Sequence, residues 1–469
     1  MTVAEATPSV RTDSPADTAF FGHPKGLGYL ACTEAFERFS FYGMQILLGL
    51  YLVHYLLLPG HIEHVAFFDW FRRFFFPGLS GQPLQSEITG NYFAFVYFTP
   101  LLGGLLADSW LGKRRTVLIG AVTMAAGHFL MAFDQSFLFA LLLLVLGSGM
   151  LKGNIAGQVG DLYDTEDPRR AMAFQIFYFG INAGVIISPW IVGTLGEKVG
   201  WHWGFGAAGI GMLISLVVYL TGQKHLAPEK AGKARDPFWR NVAAMDRKDW
   251  LATLALALLI PVIAIAIIPN NQIFNAYLIW ADEQFAMTVH GFTMPTTWLV
   301  TYDAIVSLTF LLGVAFFYRW YGRRWKEPDE LTKMIIGSAF SILGTLCLYM
   351  AAATQVPGHK ISLIWPAAFH VINSIAFAHL LPISLALFVK LAPRAINSIV
   401  IGLYYLAFFT GNKILGHVGG WYSSMPTTQF WLYHAGFAAA AGVVFLLFKL
   451  FLSKRLMHAP APLPDASIA

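Results

Sequence analysis

Long apolar runs, broken by short polar or basic stretches, dominate this chain from residue 27 to residue 453. The first six lie near 27–57, 88–108, 115–134, 137–160, 171–195 and 204–222. Each reaches the roughly 20 residues that carry a helix across a hydrocarbon core. A polar stretch from Gly222 to Lys248 follows, and then six more runs near 249–281, 296–320, 331–354, 361–391, 397–422 and 428–453. The pattern predicts an all-α integral membrane protein of twelve spans. Its expected divisions are an N-terminal tail (1–26), a six-helix bundle (27–222), a linker (223–248), a second six-helix bundle (249–453) and a C-terminal tail (454–469). The stretch from His61 to Pro83 is too charged to span and too apolar to be freely solvated, which predicts an interfacial helix or cap.

Composition supports the pattern, because 57% of the 469 residues are hydrophobic and 12% are charged, against about a quarter charged in soluble domains. The net charge of +5 does not indicate a nucleic-acid partner. Its basic residues sit in short clusters between apolar runs, where they set topology. Lys113, Arg114, Arg115, Arg169, Arg170, the linker residues Lys230, Lys233, Arg235 and Arg240, then Arg323, Arg324, Arg394, Lys454 and Arg455 all fall on one side. The positive-inside rule makes that side cytoplasmic, with both termini in the cytoplasm and the chain in the plasma (inner) membrane. Residues 1–25 lack the features of a removable signal peptide. Cys32 and Cys347 lie in apolar runs without metal-ligand spacing, so no metal site or disulfide is expected.

Charge inside the apolar runs is the unusual feature, since one charge at mid-bilayer costs about 2.5–3.5 kcal/mol on insertion scales. "TEAFERFSFYG", Thr33 to Gly43, holds three. At 100° per residue, Glu34, Glu37, Arg38, Phe41, Tyr42 and Gln45 fall within an arc of roughly 140°, forming a stripe toward a cavity or partner. Two carboxylates and one guanidinium leave a formal charge of −1, which Lys152 on the fourth span can cancel. Protonation of one Glu would free Arg38 or Lys152 to change partner, the behaviour of a proton-driven switch; the alternative is a static ion network that fixes helix packing. In the second half, Asp303 and Lys413 could neutralise one another, or Lys413 could meet a substrate carboxylate. His128, His370, His379, His417 and His434 carry no ligand spacing and are assigned no chemistry.

"TEAFERFSFYG" resembles the E-x-x-E-R-F-x-Y-Y-G signature of the proton-coupled oligopeptide transporter family, a branch of the major facilitator superfamily. "FVYFTPLLGGLLADSWLGKRRTVLIG" is similar to that family's second span and following loop, with Gly104, Asp108, Gly112, Lys113 and Arg114 in place. "GSGMLKGNIAGQVGDLYD" resembles its fourth span, "FYFGINAGVIISPWI" its fifth, and "VKLAP" the end of its tenth. The resemblance implies the major facilitator fold and import of di- and tripeptides, or related compounds, on an inward proton gradient. It implies proton coupling by Glu34, Glu37, Arg38 and Lys152, a peptide site lined by Tyr42, Tyr97, Asn182 and Lys152, and gating by Asp108, Lys113 and Arg114.

The departures from the family pattern concern the substrate. Gln45 stands where the family has a basic residue near the peptide carboxylate, and Phe41 replaces the first Tyr. "PNNQIF" puts Asn270 and Asn271 where acidic residues are usual, and Phe377 falls at the Glu that receives the peptide amine. Asp303 replaces an Asn, and Lys413 is an addition. A buried amine without a carboxylate is costly, so either Asp303 takes over or the substrate lacks that amine. The expected substrate site therefore comprises Tyr42, Gln45, Tyr97, Lys152, Asn182, Asn271, Asp303, Phe377 and Lys413. The expected partners are a small peptide or peptide-like substrate, protons and the lipid bilayer. A monomer with no cofactor beyond the coupling proton is expected. An enzyme is not indicated, for want of a nucleophile elbow, nucleotide loop or metal signature. A transporter-derived receptor that binds without moving its ligand is the alternative.

Overall fold

The computed structural model describes residues 18–164, 167–228, 245–393 and 400–451, with the single positions 243 and 396. Most of the linker and both tails, including Lys230, Lys233, Arg235, Arg240, Lys454 and Arg455, lie outside these residues, as does Arg394. Ten helices among the described residues are long and apolar enough to cross a membrane. Lys113–Leu130, which opens on three basic residues, and Val400–Gly419 complete a set of twelve spans.

Span 1 is Lys25–Tyr51, extended by a π turn through Leu56; span 2 is Gly81–Leu106; span 3 is Lys113–Leu130; and span 4 is Phe137–Asp161. Span 5 starts as Arg169–Ser188 and continues through two π turns to Val199, and span 6 is Trp201–Gly222. Asp246 starts span 7 with a capping box, its side chain accepting from the amides of Lys248 and Asp249. The helix Arg247–Ala266 then gives way to short turns, and a second helix, Ala276–Gln284, completes the span. Pro269 supplies no amide hydrogen to continue the first helix, and it sits in the first turn of the short helix Ile268–Asn271 that follows the interruption. Spans 8 to 12 are Trp298–Tyr321, Glu330–Ala353, Ile364–Leu391, Val400–Gly419 and Thr427–Phe451. The predicted interfacial element is the helix Phe68–Phe75, which buries Phe68 and exposes Trp70 and Phe74.

The hydrophobic interior is unequal at the two ends. At the end away from the basic loops, one cluster joins both halves, from Tyr51, Leu84 and Phe137 to Tyr277, Trp280 and Trp431. Toward the basic loops the halves keep separate clusters, around Val117, Ile155 and Met212 in the first and Leu259, Phe388 and Phe445 in the second. Span 2 packs on span 11 and span 5 on span 8. A Cβ on Gly90 of span 2 would lie 2.4 Å from Gly416 Cα of span 11, so the two backbones approach as only glycine permits.

Hydrogen bonds across the halves lie at the same end as the shared core. Ser86 Oγ donates to the Gly416 carbonyl at 2.7 Å, and Gln82 Nε2 to the Gly419 carbonyl at 3.0 Å. Asn275, at the break in span 7, donates to Ser86 Oγ at 2.7 Å and accepts from Gln85 at 2.9 Å. Glu197 of span 5 accepts from the amides of Thr296 and Thr297, at 2.7 and 2.9 Å, capping the start of span 8 from the opposite half. The chain is closed at this end.

Candidate functional site

The stripe on span 1 points between the halves. Tyr42 brings its ring within 6.3 Å of Phe274 on span 7, and neighbouring Tyr97 of span 2 stacks on Phe408 of span 11 at 4.8 Å. Glu34 and Glu37 are buried, and Arg38 lies between them, its Nε 2.7 Å from Glu34 Oε1 and 3.0 Å from Glu37 Oε2. Helical spacing makes this possible, since Arg38 is one turn from Glu34 and adjacent to Glu37. The second Glu34 oxygen and both Glu37 oxygens are buried without a hydrogen-bond donor. A buried acceptor without a donor costs about 1–3 kcal/mol. An added proton is the smallest species that relieves it.

Lys152 joins this group differently from the charge balance expected of it. Its ammonium stands 3.7 Å from the centre of the Phe41 ring and 5.6 Å from that of Tyr97, so its close contacts are aromatic faces rather than a carboxylate. Such contacts contribute about 0.5–2 kcal/mol, and they leave the cation able to take an anionic partner. Gln45 is buried with its carbonyl oxygen lacking a donor. Asn182 is partly exposed and donates to the Tyr178 carbonyl of its own helix at 2.8 Å.

Across the interface, amides replace charges. Asn271 donates to Asn412 at 3.2 Å, and Asn373 donates to Asn270 at 2.8 Å, tying spans 7, 10 and 11 together. Phe377 on span 10 is partly buried. His379 bonds the Tyr318 hydroxyl at 3.0 Å and its own helix's Ile375 carbonyl at 2.8 Å, which engages it with span 8.

Residues 114–246 match the profile of the POT family (PTR2). The peptide transporter YePEPT of Yersinia enterocolitica is 29% identical over 485 residues, covering 87% of this chain and 90% of that protein. A di-/tripeptide transporter of Lactococcus lactis is 27% identical, covering 92% and 96%, and the uncharacterized transporter YclF of Bacillus subtilis is 28% identical, covering 88% and 90%. A peptide transporter POT solved with sulfate superposes with a TM-score of 0.81 at 24% identity, covering 94% of this chain and 97% of that one. The chain is thus similar to the POT family over residues 114–246, and to peptide transporters over most of its length. It is a multi-pass membrane protein with the twelve-helix fold of the major facilitator type, and the relatives it resembles are transporters rather than enzymes.

Two expectations for this chain change with the structure. Asp303 and Lys413 do not pair: Asp303 Oδ1 lies 2.7 Å from His370 Nδ1, whereas the Lys413 ammonium donates to Asn91 Oδ1 of span 2. Lys413 is exposed on the seam between spans 2 and 11, one turn before His417, which contacts Glu87 at 3.2 Å. Its cationic head finds a polar partner across the halves instead of facing Asp303. His370, assigned no chemistry from its isolation in sequence, is the fully buried partner of Asp303.

Of the loop residues expected to gate, Lys113 and Arg114 have hydrogen-bond partners within the first half. Lys113 pairs with Asp161 at 2.6 Å, and Arg114 caps the end of span 6 by donating to the Leu226 carbonyl at 2.8 Å. Asp108 lies in the π turn Ala107–Leu111 that ends span 2. In the following loop, the hydrogen bonds of Arg169 hold the Asp167 carboxyl below its ordinary range. Sequence reading missed Asn373, Asn412, Asn275 and Glu197. Asn275 had one available signal, its position six residues after Pro269 in span 7.

Proposed function

We propose that this chain is a POT-family proton-coupled symporter that imports di- and tripeptides or peptide-like compounds by alternating access, with a substrate site altered in its second half. The observation that carries this is the buried Glu34–Arg38–Glu37 group, its donor-free carboxylate oxygens set between the halves beside Lys152. Proton arrival at Glu37 weakens its hold on Arg38, and Lys152, resting on aromatic faces, takes the substrate carboxylate. Tyr42, Tyr97 and Asn182 line the first-half side, with Gln45, Asn271 and Phe377 at positions changed from the family pattern. Asp108, Lys113 and Arg114 act when the basic end closes.

Both termini and the basic loops are placed in the cytoplasm, so the closed end is the outer one and the chain faces inward. The working unit is a monomer in the inner membrane, and it needs no cofactor beyond the proton. The relatives named for peptides support a peptide cargo. A solved POT-family transporter bound to 5-aminolevulinic acid, at TM-score 0.76 and 22% identity, supports room for peptide-like compounds.

The test is uptake into proteoliposomes with and without an imposed inward proton gradient, using alanyl-alanine and its N-acetylated form. The expected result is accumulation above equilibrium only with the gradient, lost in Glu37→Gln while gradient-free exchange persists. Undiminished accumulation in Glu37→Gln would sink the proton assignment, and binding without accumulation would favour a receptor. The asparagine cluster and the engagement of Asp303 with His370 favour a second reading, an anionic cargo with a blocked amine. Strong preference for free alanyl-alanine counts against that reading.

A further inference from the structure

We infer that Asp303, His370 and Tyr277 form a second proton-binding site, separate from the span 1 group, whose occupancy favours closure of the outer end. The inference rests on the alternating-access reading above.

Three helices contribute to the site. Asp303 on span 8 contacts His370 Nδ1 on span 10 at 2.7 Å, and the opposite ring nitrogen, Nε2, lies 2.9 Å from the Tyr277 hydroxyl on span 7. The imidazole is fully buried and the Asp303 side chain is 14% exposed. Facing groups that also titrate are Tyr302 on span 8, Cys347 on span 9 and, behind Trp431, His434 on span 12. No other carboxylate or ammonium among the described residues hydrogen-bonds this pair. The formal charge is therefore −1 with neutral imidazole and zero with imidazolium.

Burying a neutral ion pair costs less than burying an unbalanced carboxylate. In the neutral ring, Nδ1–H donates to Asp303 and Nε2 accepts from Tyr277. The incoming proton binds Nε2, which then donates, and the Tyr277 hydroxyl turns from donor to acceptor. No covalent bond breaks, and the charge rises by one.

The link to the outer end is short in sequence and in space. Tyr277 lies two residues after Asn275, whose side chain joins span 7 to Gln85 and Ser86 across the halves. It belongs to the helix Ala276–Gln284, the part of span 7 beyond the break, which also carries Asp282 to its contact with His54 of span 1 at 3.2 Å. Proton occupancy at His370 thus acts on the segment that closes the outer end, whereas the span 1 group lies deeper between the halves.

The experiment is electron–electron distance measurement between spin labels at Leu58 and Ser424, one on each half at the outer end. It uses the full chain in lipid nanodiscs, with Cys32 and Cys347 replaced by alanine and no substrate present. Between about pH 8 and about pH 5.5, the range in which imidazoles titrate, the closed-to-open ratio should rise roughly tenfold, an ordinary coupling between sites. Asp303→Asn and His370→Gln should each remove most of that rise, and so should Tyr277→Phe, the mildest change should the others fail to fold. His54 and His417 carry imidazoles at the same end, so the decisive quantity is the difference these three variants make. An unaltered response in all three, or none in the parent, overturns the inference. Glu37→Gln should keep the response while losing accumulation, so this site and the span 1 assignment fail separately.

Discussion

Substituting alanine for Gly90 tests the closed end most directly. Alanine is ordinarily the better helix residue by roughly 0.5–1 kcal/mol, so local propensity alone favours the change. The added methyl would lie 2.4 Å from Gly416 Cα, 2.6 Å from its nitrogen and 2.7 Å from the Asn412 carbonyl oxygen. Carbon contacts are comfortable at about 3.5–4.0 Å, so spans 2 and 11 must separate by about 1 Å. Neither obstacle can rotate away, because both are backbone. That separation takes the Ser86–Gly416 and Gln82–Gly419 hydrogen bonds, at 2.7 and 3.0 Å, to or past the limit of bonding. Overpacking costs about 1–3 kcal/mol and each lost bond about 1, which places the penalty at about 2–5 kcal/mol. Even about 2 kcal/mol changes a two-state ratio roughly thirtyfold. The assay is labelling of Phe274→Cys by a membrane-impermeant maleimide from the outer side, in the background lacking Cys32 and Cys347. Gly90→Ala should label much faster, whereas Gly436→Ala, whose methyl would meet nothing within 4 Å, should match the parent. Equal labelling of both would refute the packing argument.

Glu197→Gln should also favour opening of the closed end, because one neutral oxygen cannot replace the two that receive the Thr296 and Thr297 amides. The expected loss is about 1–3 kcal/mol of closure, read by the same labelling. Phe41→Leu should weaken binding of anionic substrate without abolishing it, by removing the face under Lys152, worth about 0.5–2 kcal/mol; a titration of affinity decides this. Lys113→Ala should leave thermal stability within about 1 kcal/mol of the parent, since its ion pair with Asp161 is exposed to screening. A large fall in melting temperature would show that this pair holds the bundle together.

The twelve spans were legible because apolar length and the side taken by basic residues are one-dimensional signals. The Glu34–Arg38–Glu37 group was legible for a related reason: its members share one helix, and helical period alone puts them together. Lys152 was assigned to the same group, but its seat on Phe41 depends on how span 4 leans against span 1, which spacing does not encode. Lys413 and Asp303 could be paired by formal charge, and the structure gives each a nearer partner. His370 looked like a packing histidine because its acid lies 67 residues away on another helix. The glycine contact between spans 2 and 11 and the Glu197 cap likewise join residues that only the folded arrangement brings together.

A hydrophobic core shared at one end and divided at the other has a thermal consequence. Opening the closed end would wet part of the shared cluster, and exposure of apolar surface raises heat capacity. Closing the end that bears the basic loops would withdraw a different apolar area from water, and nothing requires the two areas to match. The equilibrium between the two facings should therefore have a heat-capacity difference of its own, bending its van't Hoff plot. A transporter built this way would carry a preferred facing that changes with temperature, even with pH and substrate held fixed.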